Sequence, residues 1–211
     1  MNYQAVIFDL DGTLYDKSRL PFRLILSLLP SLRTLGSERK ARKQLKGKDF
    51  ESENAFYDAL FGAMASQTGK HPSAMRSWYF NRYMPAMIRT LRKHYRLRPW
   101  VVPLMEQLHG EGVPVIIYSD YGCVREKLEA LGFNPSRAAL LADAPSLGGL
   151  KPSEASARKL LGRIADTLGT TIDPARCLMV GDRDDTDGAT ANALGMPFRH
   201  IEGDQCPMTD V

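Results

Sequence analysis

Cysteine is scarce in this 211-residue chain: Cys123, Cys177 and Cys206 are odd in number and far apart. With no C-x-x-C pair, neither a zinc knuckle nor a disulfide framework is indicated, and reduced thiols are expected. Long apolar runs are missing too. The richest, Leu24 to Leu29, ends at Pro30, far short of the roughly 20 residues that cross a bilayer, so no membrane association is expected. The opening Met-Asn-Tyr-Gln has no basic segment before its apolar run, and a cytoplasmic location is expected. Internal repeats, Gly-Lys-Ser/Thr, G-x-G-x-x-G and H-E-x-x-H are absent. Repeat architectures, P-loop nucleotide hydrolases, dinucleotide enzymes and zinc proteases are thereby disfavoured.

What is present is an ordinary folded-protein composition, 44% hydrophobic and 25% charged. The length suits one full domain with a sizeable insertion, or two small domains. Charge is unevenly spread. Residues 16–98 hold 18 Lys and Arg against 6 Asp and Glu, a net of +12, whereas the remainder holds 10 against 18, a net of −8. Such asymmetry predicts two regions with different tasks.

Residues 3–10, Tyr-Gln-Ala-Val-Ile-Phe-Asp-Leu, predict a strand buried on both faces, as in a parallel sheet. From 18 to 95 the apolar pattern is helical: Leu20, Leu24 and Leu28, then Phe56, Leu60 and Met64, then Met84, Met87, Ile88 and Leu91. Breaks at Gly36-Ser37, Gly47-Lys48 and Gly69 to Pro72 divide it into about four helices. A further helix is expected over 99–109. Strands at 113–119, 138–142, 176–180 and 197–201 then alternate with helices at 124–131, 153–168 and up to Leu194. That alternation predicts a parallel sheet covered by helices.

Ligands bind such sheets beyond the carboxyl ends of the strands. The residues falling there are Asp9, Asp11, Ser119, Lys151, Asp182 and Asp187. Carboxylates, a hydroxyl and an ammonium converging on one crevice suit phosphoryl chemistry: a nucleophile, an acid–base partner, ligands for a hard cation and donors for phosphate oxygens. Each residue also has a plainer reading, as a turn aspartate, an N-cap serine or a solvated lysine. The agreement of four segments favours the chemistry. Asp184 and Asp185 read as acids favoured at a helix N-terminus.

Asp9-Leu10-Asp11-Gly12-Thr13-Leu14, Ser119, Lys151-Pro152 and Gly181-Asp182 with Asp187 resemble, in order and spacing, the four motifs of the haloacid dehalogenase (HAD) superfamily, most of whose members are phosphatases. The resemblance covers residues 1–15 and 99–200. It implies an α/β, Rossmann-like core over 1–15 and 99–211, a parallel sheet with helices on both faces, and an inserted α-helical cap domain of the C1 kind over 16–98. It further implies Asp9 as a nucleophile forming an aspartyl-phosphate, Asp11 as general acid and base, and Ser119 and Lys151 at the phosphate. Mg²⁺ would be held by Asp9, the Asp11 carbonyl, Asp182 and Asp187. An acid at position 11 separates the family's phosphatases from its dehalogenases, so a Mg²⁺-dependent, phosphoglycolate phosphatase-like hydrolase of a small phosphate monoester is expected. Many members carry Asn after the serine; here Asp120 adds a negative charge.

A sugar-phosphate mutase of the same superfamily, which would pass the phosphoryl group to a second substrate, is an alternative. A nucleic-acid-binding protein is another, resting on Lys40, Arg42, Lys43, Lys46 and Lys48 with Trp78, Tyr79, Phe80 and Tyr83 as stacking groups. No nucleic-acid motif accompanies them, and the aromatic spacing suits a helical core, so nucleic acid is not the expected partner. A basic region facing an acidic one would instead focus a small anionic phosphomonoester into the cleft, especially one carrying a second negative group.

Overall fold

The computed structural model describes residues 3–208. Five parallel strands, β1 (Ala5–Phe8), β2 (Val115–Ser119), β3 (Leu140–Asp143), β4 (Cys177–Gly181) and β5 (Phe198–His200), form one sheet in the order β3-β2-β1-β4-β5. The order reverses beside β1, the position where α/β sheets open a crevice. The apolar runs of β1, β2 and β4 are buried on both faces, and side-chain alternation splits them between two cores. Val6, Phe8, Val115, Ile117, Leu178 and Val180 face one side. Ala5, Ile7, Ile116, Tyr118, Cys177 and Met179 face the other.

The chain between β1 and β2 is helical: α1 (Leu20–Ser27), α2 (Leu32–Leu45), α3 (Glu53–Thr68), α4 (Pro72–Trp78), α5 (Met84–His94) and α6 (Val101–Gly110). A wide turn over Tyr79–Tyr83 joins α4 to α5. The expected break at Gly36-Ser37 does not occur. Both residues lie inside α2, where the Ser37 hydroxyl donates to the Thr34 carbonyl at 2.8 Å, and the chain bends before α2 instead, at Leu29–Ser31, around Pro30. α2 packs against α3, buries Leu35, Glu38, Ala41, Arg42 and Leu45, and turns Arg39, Lys40 and Lys43 to solvent. That spacing is one helical face.

α7 (Val124–Ala130), α8 (Glu154–Leu168) and α9 (Ala189–Leu194) complete the covering of the sheet. α8 and α9 line the second core. α7 packs against α5 and so brings the insertion over the carboxyl ends of the strands. The apolar interior of the insertion, with Leu24, Phe56, Leu60, Tyr79 and Leu91, is continuous with the sheet face that carries Phe8 and Ile117. Tyr79 and Tyr83, which a nucleic-acid reading would use for stacking, are buried there. Among the described residues, no helix is long and apolar enough to cross a membrane.

Candidate active site

Asp9 follows β1 directly, and its N–H donates to the Val180 carbonyl of β4 at 2.9 Å. This bond fixes the strand end against its neighbour, so that Asp182, one residue past β4, faces the same crevice. Two glycines allow the approach. A Cβ at Gly12, whose φ is +109°, would stand 2.4 Å from Asp182 Oδ2, and one at Gly181 would stand 2.4 Å from the Asp187 carboxylate. Asp187 reaches the site from a wide turn over Asp184–Gly188 that precedes α9.

Lys151 is buried at the centre. Its Nζ donates to Asp9 Oδ1 at 2.6 Å, to Asp187 Oδ1 at 2.6 Å and to the Tyr118 carbonyl at 3.2 Å. Burial acts against its charge, but Asp187, Asp9 and Asp120 outweigh it and hold the ammonium well above the ordinary lysine value. Burial likewise pushes the Asp187 carboxyl up to about 7, against the pull of Lys151. The remaining oxygen of Asp9, Oδ2, accepts from the Thr13 hydroxyl at 2.9 Å.

Asp11 is surrounded by donors. The Tyr15 hydroxyl reaches Oδ1 at 2.7 Å, while the Ser119 hydroxyl, at 2.9 Å, and the fully buried Lys127 ammonium reach Oδ2. Burial favours its neutral form, yet Lys127 above all, with Tyr15 and Ser119, holds the carboxyl below the ordinary aspartate value. Ser119 therefore turns its hydroxyl to Asp11, and its oxygen also accepts from the Tyr121 N–H at 3.0 Å. Asp120 is tied to the Lys151 loop, its Oδ1 accepting the Lys151 N–H at 2.8 Å.

The carboxylates of Asp9, Asp182 and Asp187 each bring an oxygen within 4.8 Å of the others. Asp182 Oδ1 is buried without a hydrogen-bond partner. An all-oxygen set with an orphaned anionic atom fits a small hard cation such as Mg²⁺. Lys17 supplies positive charge to the same oxygens: its Nζ donates to the Asp11 carbonyl at 2.6 Å and lies 2.7 Å from Asp182 Oδ2. The six residues singled out from sequence thus meet at one end of the sheet. Asp184 and Asp185 make no helix-capping bond; Asp184 pairs with His200, and Asp185 with Lys46 and Arg183.

Above these groups lies a cavity of about 430 Å³, walled on the insertion side by Leu20, Leu24, Met87, Tyr83 and Arg39. Arg42, buried in α2, joins the two sides. Its guanidinium donates to the Asp120 carbonyl at 2.9 Å, to the Tyr79 hydroxyl at 2.7 Å and to Glu38, and its Cζ stacks 3.9 Å from the Tyr121 ring centroid. Sequence reasoning missed Lys127, Tyr15, Thr13 and Lys17. Lys127 left a signal: with Val124 and Leu131 it falls in the i, i+3, i+7 phase of a buried helical face, where an unpaired lysine is costly. Lys17 left none.

Comparison with solved structures finds the same fold. A predicted phosphoglycolate phosphatase from Haemophilus somnus superposes with a TM-score of 0.58 at 22% identity, covering 95% of this chain and 85% of that one. The HAD-hydrolase YfnB from Bacillus subtilis, bound to magnesium, gives 0.66 at 12% identity over 99% and 92%. A 2-haloacid dehalogenase from Pseudomonas syringae gives 0.61 at 20% identity over 97% and 92%. A search of curated proteins finds no match. A family model described as haloacid dehalogenase-like hydrolase matches residues 3–195, and with its sheet order and strand-end aspartates the chain belongs to that hydrolase family.

Proposed function

We propose that the protein is a Mg²⁺-dependent phosphohydrolase that cleaves a small anionic phosphate monoester by way of an aspartyl-phosphate on Asp9, with the helical insertion as its cap. The observation that carries this reading is the presence of Asp11 two residues from Asp9, at the mouth of the same carboxylate cluster. A halide leaves without a proton, whereas an alkoxide needs one.

Each Asp9 oxygen has one protein donor and keeps a lone pair for attack. Attack on phosphorus breaks the ester P–O bond, and the leaving oxygen takes a proton from Asp11 in its acid form. Asp11 then takes a proton from water, which attacks phosphorus, releases inorganic phosphate and frees Asp9. Bound among Asp9, the Asp11 carbonyl, Asp182 and Asp187, Mg²⁺ would neutralise charge on the transferring group. Lys151 adds a fixed charge beside the nucleophile. With Lys127 beside it, Asp11 is held as the carboxylate that the water step needs. The first step requires it to turn from Lys127 and gain a proton, and the same turn frees the Ser119 hydroxyl for phosphate.

The test is a panel of phosphate monoesters and 2-haloacids incubated with purified protein, with MgCl₂ or with EDTA. Released phosphate that requires MgCl₂ supports the reading. Halide release without phosphate release overturns it.

A further inference from the structure

We infer that the seam between α2 and the loop after β4 is a second anion subsite, which takes a phosphate or carboxylate at the far end of the substrate. This rests on the phosphohydrolase reading and names its substrate class: phosphomonoesters with a second anionic group. The seam holds a cavity of about 400 Å³. It is lined by Arg39 and Lys43 of α2 and Lys46 just past it, and from the sheet side by Asp120, Arg183 and Asp185. Arg39, Lys151 and Arg183 line this cavity and the catalytic one alike. A molecule with its phosphate over Asp9 therefore extends directly into the seam.

The cations lining the seam, Arg39, Arg42, Lys43, Lys46, Lys151 and Arg183, outnumber its acids, Asp120 and Asp185. Arg42 is committed to Glu38 and the Asp120 carbonyl. Lys46 and Arg183 share a single acid, Asp185. Arg39 and Lys43 make no ion pair with a described residue, and Asp120, the other acid here, is engaged by the Lys151 N–H. Residues four apart on a helix have Cβ atoms about 5–6 Å apart, so Arg39 and Lys43 can converge on one anion, the guanidinium as a planar fork and the ammonium as a point charge. The grouping is directional: Arg33 and Lys40, also on α2, turn to a separate groove with Gln44 and Gln67.

The test uses three phosphonates that cannot be hydrolysed: 3-phosphonopropanoate, propane-1,3-diphosphonate and propylphosphonate. Their affinities are measured by calorimetry in MgCl₂ for the wild type and for Arg39→Met/Lys43→Met. Both changes are at exposed helix positions, and melting curves check the fold. The anionic tails should bind at least ~10-fold tighter than the propyl tail, and the double variant should remove most of that advantage. The tighter of the two anionic tails identifies the second group as phosphate or carboxylate. Equal affinity for all three, or an advantage that survives in the variant, overturns the subsite. A tail advantage lost in the variant, in a protein that hydrolyses no monoester of the panel, supports the subsite while the phosphohydrolase reading falls.

Discussion

At the carboxyl ends of β1 and β4, Asp9 and Asp187 share the one ammonium of Lys151, and Asp182 keeps an oxygen without a partner. At α2 and its C-terminal end the balance is reversed: Arg39, Lys43 and Lys46 meet the sheet side across two acids, Asp120 and Asp185, of which Asp185 is paired with Lys46. The strand ends are short of positive charge and the insertion has it in excess, on opposite walls of the same cleft. Local sequence made the first set and a helix face 30 residues away made the second. The proposed phosphorylated substrate with a divalent cation would satisfy both.

Removing the proposed nucleophile should break the comparison most severely. Asp9→Asn should reduce phosphate release below a thousandth of the wild-type rate, more than ~4 kcal/mol of transition-state stabilisation, while the melting temperature stays within a few degrees because Lys151 keeps Asp187. Turnover above about a hundredth, a loss under ~2.7 kcal/mol, would remove Asp9 from that role.

On the insertion side, Arg42→Ala leaves Glu38 buried and uncompensated, and it should cost about 3–5 kcal/mol of stability. Glu38 already has one unpartnered oxygen, and burial raises its carboxyl above the ordinary value. Glu38→Gln in the Arg42→Ala background should restore part of the loss, as read from urea midpoints. No recovery would mean that Arg42 acts through Asp120, Tyr79 and Tyr121 rather than through Glu38.

A smaller effect concerns pH. Asp187 has its carboxyl raised in the folded protein to about 7, so the folded state binds its proton more tightly than the unfolded chain does. Its contribution to stability is full below the ordinary aspartate value of about 4 and is lost as pH rises toward 7. In EDTA, the wild type should therefore lose stability between those values, and Asp187→Asn should flatten that dependence. MgCl₂ should offset the loss in the wild type only. The smallest effect is expected of Lys17. Lys17→Met removes a cation that shares the Asp11 carbonyl and Asp182, and it should tighten Mg²⁺ binding several-fold, read as a lower MgCl₂ midpoint for thermal stabilisation.

The strand ends were legible because their signal is local. An apolar run that stops at Asp9-Leu10-Asp11-Gly12 states both the strand and its terminal carboxylates, and the strand–helix alternation then places the other segments beside it. The insertion was legible only as helix. Its net charge could be counted, but which cations face the cleft depends on the helix break at Pro30 rather than Gly36, and on α5 packing against α7. The partners of Asp11 were hidden for the same reason: Lys127 is 116 residues away in sequence and meets it only through the β1–β2 pairing. Asp184 and Asp185 do fall in the first helical turn after β4, as their reading as N-terminal acids expects, while their side chains pair with His200 and with Lys46 and Arg183, partners the local sequence could not name.

The continuity of the apolar interior from Phe8 and Ile117 to Phe56 and Leu91 has a consequence for evolution and engineering. A lid that hinges freely carries its own sealed interior and can be exchanged between relatives like a cassette. Here an exchange would cut through shared packing, and the grafted helices would have to match the sheet side atom for atom near Leu10 and Leu14. Changes in what this protein accepts should accordingly accumulate through single side chains on α2, whose solvent face is free to vary, rather than through replacement of the insertion as a block.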